Sequence, residues 1–185
     1  MNFKPIYVYP AIVLVAISAI IVFLILDKEK ASQILTENKS HSQKNVSPEA
    51  IKMLAELKAK FEANQGDTLV VREYADFLAK GHDQDQAIEL YKRILNEDPK
   101  RLDILFSIAT LYFHTQKLDE AEIYVNKILT FDQNNTLALF NKGVLEYNFN
   151  RVDAAKTIWE DIVKRFPTSP EAELAKKELE FLKSK

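Results

Sequence analysis

Apolar residues follow two different patterns along the chain. The first is an unbroken run at 6–26, IYVYPAIVLVAISAIIVFLIL, which contains no charged side chain. A helix of this length spans about 30 Å, the thickness of the hydrocarbon layer of a membrane. The run ends at Asp27 without the small residues that precede a signal-peptide cleavage site. We therefore predict a short tail at 1–5 and an uncleaved transmembrane anchor at 6–26, with a cleaved signal peptide as the alternative.

The segment at 27–47 is polar and lacks a long apolar stripe, so we expect a linker between the anchor and the rest of the chain. Lysine and arginine mark the cytoplasmic side of a membrane helix, and Lys28 and Lys30 after the anchor slightly outweigh Lys4 before it. Against this, a short head before an N-terminal apolar run is the usual layout of an anchor that exports the rest of its chain. We predict a single-pass protein of the cell membrane whose body lies outside the cytoplasm. A body that faces the cytoplasm is the alternative.

The second pattern begins at residue 48, where apolar positions take helical spacing and repeat with a period of about 34 residues. Small residues recur at this offset, in the series Ala75, Ala109, Gly143 and the series Ala87, Ala121, Ala155. Large apolar residues recur beside them, in the series Val71, Leu105, Leu139, the series Ile94, Ile128, Ile162 and the series Tyr91, Val125, Trp159. Small residues permit a close approach of two helices, and large ones fill the space around them. The period therefore predicts a stack of helix pairs.

The period resembles the tetratricopeptide repeat (TPR), in which two antiparallel helices occupy each repeat. On this resemblance we place a TPR domain at 48–185. Its parts are repeats at 68–101, 102–135 and 136–169 and flanking helices at 48–64 and 170–183. Both flanking helices begin with Ser-Pro-Glu-Ala, in which Ser can cap the helix and Pro suits its first position. The expected fold class is an all-α TPR α-solenoid, preceded by a single transmembrane helix.

The flanking helices are expected to close the two ends of the array. The first has the phase of a second repeat helix, with an apolar stripe of Ile51, Leu54, Leu57 and Phe61. The last has the phase of a first repeat helix, with a charged outer face of Glu173, Lys176, Lys177, Glu180 and Lys183. A polar terminal face of this kind keeps a solenoid soluble. Inside the array, Lys142 and Glu146 stand where the third repeat should be apolar and aromatic, and we expect them to loosen it locally.

Composition excludes several classes of function. The absence of cysteine removes disulfides, zinc–thiolate sites and thiol catalysis. The net charge of −2 offers no basic surplus for nucleic acid. No glycine-rich phosphate loop, G-x-S-x-G motif or H-E-x-x-H motif occurs. We therefore predict that the protein is not an enzyme and holds no cofactor or metal. Its expected partner is a protein or peptide, not nucleic acid or a small molecule.

The resemblance implies a binding groove, because the first helix of each repeat lines the concave surface of the TPR fold. The candidate residues are Arg72 and Asp76 in the first repeat, Phe106, Thr110, Phe113 and His114 in the second, and Phe140, Asn141, Val144, Tyr147 and Asn148 in the third. We expect an apolar floor formed by Phe106, Phe140 and Tyr147, with amides that bond the backbone of a bound segment. The alternative is that Phe113 and Tyr147 pack in part against a neighbouring helix.

Some TPR proteins hold the C-terminal carboxylate of a partner through basic and amide side chains at fixed groove positions. In this chain those positions carry Arg72, Asp76, Ser107, Leu137 and Asn141. Arg72 fits that role, but Asp76 would repel a carboxylate because both groups are negative. We therefore expect no carboxylate clamp.

The start of the domain, IKMLAELKAKFEANQGD, resembles the start of TPR domains in bacterial cytochrome c maturation factors. The matching residues are Ile51, Leu54, Asn64 and Asp67, and the departures are Lys58 and Gln65. The role of that family is to present apocytochrome to the haem-attaching machinery. We predict a membrane-anchored scaffold in the assembly or maturation of cell-envelope proteins, of which cytochrome c biogenesis is one form. The alternatives are a cytoplasm-facing adaptor that recruits a soluble complex, and a structural subunit of a membrane complex.

Overall fold

The computed structural model describes residues 47–81 and 83–184, so the predicted anchor at 6–26 and nearly all of the predicted linker lie outside the described residues. Within this part the chain forms helices and no strands. The helices are α1 (Pro48–Ala63), α2 (Thr68–Ala79), α3 (Gln84–Glu97), α4 (Leu102–His114), α5 (Leu118–Phe131), α6 (Thr136–Asn148), α7 (Val152–Arg165) and α8 (Pro170–Lys183). The predicted all-α solenoid is therefore confirmed. None of these described helices combines the length and the apolar composition that a membrane crossing requires.

Side-chain caps explain where several helices begin. Asp67 accepts a hydrogen bond from the backbone N–H of Leu69 at 2.9 Å, and Asn135 accepts one from Ala138 at 3.0 Å. Ser169 accepts one from Ala172 at 3.1 Å, with Pro170 as the next residue. A cap of this kind satisfies an N–H that has no partner inside the helix. Ser47 caps α1 in the same way, through the N–H of Ala50 at 3.2 Å, so the predicted Ser-Pro-Glu-Ala starts are confirmed.

Two compact units divide the chain after Ile51, and the repeats lie in the second, Lys52–Lys185. Each repeat is a pair of contacting helices: α2 with α3, α4 with α5, and α6 with α7. Consecutive repeats meet through α3 and α4 and through α5 and α6, while α8 contacts both α7 and α6. Gln116 and Asn150 stand one period apart in the turns inside two repeats, and both have a φ of 60°. The same turn therefore joins the two helices of each of these repeats.

The small residues of the period lie at close helix crossings, as the sequence predicts. Ala75, Ala87 and Ala155 are completely buried. Gly143 allows the closest approach, because a Cβ atom built there would lie 2.3 Å from Nε1 of Trp159. A contact that short leaves no room for a side chain, so glycine at this position lets α6 lie against the indole of α7.

The apolar stripe of α1 is shorter than the sequence predicts. Leu54, Leu57 and Phe61 pack against the core that α2 and α3 form, and the rings of Phe61 and Tyr74 have centroids 5.2 Å apart. Ile51 is 58% exposed, so its assignment to the stripe is wrong. It lies one helical turn before the residues that reach the core.

The expected loosening of the third repeat has a compensation that sequence reasoning missed. Glu146 is 8% exposed, and Arg151 donates a hydrogen bond from Nε to its carboxylate. The guanidinium of Arg151 also lies 3.6 Å from Glu122 of the preceding repeat and 4.4 Å from the ring centroid of Phe149. A buried carboxylate is tolerated when it is paired in this way. The ion pair thus replaces the aromatic packing that the repeat pattern calls for.

Candidate functional site

A pocket opens between the second and third repeats and has a volume of about 160 Å³. Four predicted groove residues line it: Thr110, Phe113, Asn141 and Val144. Its remaining walls are Ala109, Ala121, Val125 and Leu145. The pocket therefore penetrates from α4 and α6 to the second helix of the repeat, α5. The first helices of the three repeats are α2, α4 and α6, and α8 has the same phase. We use the name groove face for the surface of these four helices that carries the candidate residues and the residues 34 positions later.

The walls of the pocket are mostly apolar, with two polar groups. The side chains of Thr110 and Asn141 make no hydrogen bond within the described part of the chain. A dry cavity of about 150 Å³ lined by apolar side chains is large enough to hold benzene. The pocket therefore has the size and character to take one aromatic or branched aliphatic side chain. The hydroxyl and the amide are placed to bond the backbone beside it.

The predicted aromatic floor has a different arrangement in the structure. Phe140 and Tyr147 are half-buried and lie beside Trp159, with ring centroids 6.2 Å and 6.4 Å from the indole. Phe106 is half-buried against the cluster around Leu105 and Ile128. These three residues stand outside the lining of the pocket. Packing within the repeats therefore occupies part of each ring, as the alternative for Tyr147 anticipates, and the remaining part faces solvent.

The other second-repeat and third-repeat candidates are placed as follows. Phe113 lines the pocket and also packs against the buried cluster of Ala109, Ala121 and Val125. His114 is exposed at the end of α4, with its ring 6.2 Å from that of Phe113. The side chain of Asn148 donates a hydrogen bond to the carbonyl of Val144 at 2.8 Å. One of its two amide N–H groups is thus already bonded inside α6, which sequence reasoning did not anticipate.

The first-repeat candidates belong to a closed charge network. Arg72 donates a hydrogen bond to Asp103, and its Nε lies 3.5 Å from the carboxylate of Asp76. Arg101 binds Asp103 through two hydrogen bonds of 2.9 Å and 2.8 Å. The Tyr91 hydroxyl donates to Asp76 at 2.5 Å. Every charge in this cluster therefore has an opposite charge or a donor within the chain.

The titration behaviour of the network follows from these contacts. Hydrogen bonds from Arg101, together with the nearby charge of Arg72, hold the pKa of the Asp103 carboxyl below its usual value. Burial, and then the hydrogen bond to Asp76, raise the pKa of the Tyr91 hydroxyl. Asp103 thus stays ionised and holds both arginines. Both arginines are thus already paired, and the absence of a carboxylate clamp stays a prediction.

Sequence reasoning missed two exposed apolar residues on the last helix. Leu174 is 42% exposed and Phe181 is 46% exposed, although both belong to a helix assigned as a charged cap. The signal was present in the period, because they stand one period after Phe140 and Tyr147. Among the described residues no cluster of His, Asp or Glu side chains has the grouping of a metal site. The prediction that the protein is not an enzyme stays a prediction.

Comparison with known proteins identifies the repeats. Two family models, each described as tetratricopeptide repeat, match residues 48–139 and 137–169. The BBSome complex member BBS4 of Bos taurus is 29% identical over 94 residues, which are 51% of this chain and 18% of that protein. A match of that extent covers a small part of BBS4.

Solved structures share the fold. A tetratricopeptide repeat protein from Parabacteroides merdae superposes with a TM-score of 0.62 at 18% identity, over 84% of this chain and 58% of that one. The first TPR of Spaghetti (RPAP3), bound to the HSP90 peptide SRMEEVD, superposes with a TM-score of 0.53 at 24% identity, over 63% of this chain and 90% of that one. The helix pairs, their common period and both family models agree: the chain belongs to the tetratricopeptide repeat family.

Proposed function

We propose that this protein is a scaffold that captures an apolar segment of a partner protein on its groove face. The observation that carries the proposal is the pocket of about 160 Å³ between the second and third repeats. TPR domains are scaffolds for protein interactions, and a solved TPR domain of the same fold has an HSP90 peptide bound. A preformed apolar cavity with a few polar groups at its edge is the usual form of a binding site.

The pocket supplies both affinity and orientation. Burial of one leucine or phenylalanine side chain contributes about 1.5–3 kcal/mol, and the small residues Ala109 and Ala121 leave the space for it. Thr110 and Asn141 then bond the backbone of the segment on either side of the buried residue. Such bonds select an extended or bent segment that presents its backbone at the pocket.

The charge network decides what kind of segment fits. The HSP90 peptide named above, SRMEEVD, is acidic. In this chain Arg72 and Arg101 are already held by Asp76 and Asp103. A partner carboxylate would have to break these ion pairs to reach a guanidinium. We therefore propose that binding does not depend on a C-terminal carboxylate and that an internal apolar stretch of the partner is recognised.

The setting of the scaffold rests on the sequence. We propose that the apolar run at 6–26 anchors the chain in the cell membrane and that the repeats work outside the cytoplasm in the assembly of envelope proteins. Cytochrome c maturation is one form of that role and has the support of the sequence resemblance at 51–67. The chain has no cysteine, so a Glu180→Cys variant carries one exposed thiol. In intact cells a membrane-impermeant maleimide should label it, whereas labelling only after lysis would favour the cytoplasm-facing adaptor.

Filling the pocket tests the binding proposal. Thr110 is exposed at the pocket mouth, so Thr110→Phe should occupy the cavity without disturbing the core. We expect this variant to lose about tenfold or more in affinity for a fluorescent leucine-rich peptide, because the apolar anchor of a bound segment is displaced. Thr157→Phe, an exposed threonine of α7, is the matched control and should bind as the unaltered chain does. Equal affinity for all three proteins would contradict the proposal.

A further inference from the structure

We propose that α8 is the C-terminal wall of the groove face and that it binds a basic, apolar stretch of the partner segment; this inference rests on the proposed function. Its sequence position gives α8 the phase of a first repeat helix, and α8 contacts α6 directly. The helix therefore continues the groove face beyond the third repeat. A role as a solubility cap does not account for its two exposed apolar side chains.

Leu174 and Phe181 form one apolar stripe along α8. They are seven residues apart, which is close to two helical turns, so they lie on the same side of the helix. Each stands one period after a groove-face residue of α6, Phe140 and Tyr147 respectively. The groove face therefore carries an apolar pair at equivalent positions on each of two contacting helices, α6 and α8.

A comparison of α6 with α8 shows that the stripe is not left over from repeat packing. In α6, Leu139 and Gly143 pack against α7, and Glu146 bonds Arg151, the residue that precedes α7. Their equivalents in α8 are Glu173, Lys177 and Glu180, which are all exposed and charged. The packing side of α8 is therefore built to end the array, while the groove side is apolar. Large exposed apolar residues in such a setting mark an interaction surface.

The charges beside the stripe define the chemistry of the partner. Glu171 and Glu178 lie between the stripe and the buried side of α8, on the side of the groove face. Thr136 donates a hydrogen bond to Glu171 at 2.8 Å. Glu178 makes no ion pair within the described part of the chain. Lys177 stands on the opposite side of the stripe, where the second helix would pack. A segment that lays apolar residues on the stripe therefore places its neighbouring side chains next to carboxylates, which favours lysine or arginine.

Two peptides of matched length test this inference on the full chain in phosphatidylcholine nanodiscs. One peptide is built from leucine, alanine and lysine, and the other from leucine, alanine and glutamate. Fluorescence anisotropy should show that the lysine peptide binds about tenfold or more tightly than the glutamate peptide, after subtraction of binding to empty nanodiscs. Equal affinity for the two peptides, or binding of neither, would overturn the proposal.

Substitutions on α8 assign the binding to the stripe. The double variant Leu174→Ser and Phe181→Ser should weaken the lysine peptide about tenfold or more, and Glu178→Lys should reverse the preference between the peptides. The matched controls are Ile123→Ser with Phe131→Ser, also exposed apolar residues, and Glu180→Lys on the packing side of α8. The controls should leave both affinities unchanged.

The outcomes separate this inference from the function on which it rests. Full affinity in the α8 double variant, together with loss in Thr110→Phe, would overturn the role of α8 and leave the pocket standing. Loss in neither variant would overturn both. A second copy of this chain is another possible occupant of the stripe, and sedimentation of the full chain before and after the double substitution tests for it. A dimer that the substitution converts to a monomer would show that a second copy covers the stripe, and this too would overturn the proposal.

Discussion

The groove face has two halves that differ in chemistry at equivalent repeat positions. In the N-terminal half, Arg72 and Asp76 are tied into a closed network. The residues one period later, Phe106 and Thr110, begin a surface of aromatic, aliphatic and small polar side chains that reaches Phe181. Equivalent positions thus carry a paired charge in the N-terminal half and a partly exposed apolar or small polar side chain in the C-terminal half. This contrast supports the proposal that the C-terminal half binds the partner, while the ion pair of Arg72 with Asp103 in the N-terminal half links the first repeat to the second.

The largest expected effect is on stability, where truncation of the buried Trp159 should cost far more than truncation of the exposed Phe181. Trp159 is completely enclosed, whereas Phe181 is about half exposed. Trp159→Ala should lower the free energy of unfolding of a fragment that starts at Ser47 by about 3–5 kcal/mol, through lost burial and the cavity left behind. Phe181→Ala should cost less than about 1 kcal/mol, as surface changes do. Urea unfolding followed by circular dichroism measures both, and equal losses would mean that the stripe of α8 is core.

The second effect concerns the buried carboxylate of the third repeat. Arg151→Met should cost about 2 kcal/mol, because Glu146 then remains buried without its charged partner. Lys156→Met removes an exposed i,i+4 ion pair with Glu160 and should cost about 0.5 kcal/mol. The same urea experiment compares the two variants. A cost for Arg151→Met no greater than that of the control would contradict the compensation described for this repeat.

The third effect tests the close crossing of α6 and α7. Gly143→Ala forces a Cβ against the indole and should cost about 1–2 kcal/mol, the balance of overpacking against a helix-propensity gain near 1 kcal/mol. The indole Nε1 has no hydrogen-bond partner among the described residues. Trp159→Phe removes the clashing edge, so the double variant should recover part of the loss, as a double-mutant cycle would show. Additive costs would mean that the two residues do not meet.

The smallest effect is the pH response of the N-terminal network. The folded-state pKa of Asp103 is lowered, so its contribution to stability is complete above the unfolded pKa and is lost as pH falls through the folded pKa. Acidification below about pH 4 should therefore cost the unaltered domain slightly more stability than it costs Asp103→Asn. The contribution is small because Asp103 is partly exposed and solvent screens its ion pairs. An identical loss of stability on acidification in both proteins would show that the Asp103 network does not contribute to the pH dependence.

The fold could be predicted from the sequence because the same pattern of small and large packing residues occurs in each repeat. Small residues such as Ala121 and Gly143 and large ones such as Trp159 recur at one offset, and each recurrence reinforces the others. Helix starts are also readable, since Ser169 and Pro170 act locally. Such features depend on near neighbours in the chain or on the period, both of which a sequence displays directly.

The site is less predictable because its geometry depends on which side chains meet. Repeat position placed Phe140 and Tyr147 on the groove face, but it did not show that both lie beside Trp159. The pairing of Arg151 with Glu146 and the intrahelical bond of Asn148 likewise depend on rotamers that no pattern encodes. The period could have placed Leu174 and Phe181 on the groove face, because they stand 34 residues after Phe140 and Tyr147. They were missed because the many charged residues of α8 led to its assignment as a polar cap.

Photo-crosslinking in intact cells tests the central claim, that the C-terminal half of the groove face binds the partner. A photoreactive phenylalanine analogue at Phe106, which lies outside the pocket lining, or at Leu174 should form adducts with one shared partner, identified by mass spectrometry. The same analogue at Leu69, which is 71% exposed on α2, should give no such adduct. Adducts from Leu69 that match or exceed those from Phe106 and Leu174 would contradict the account.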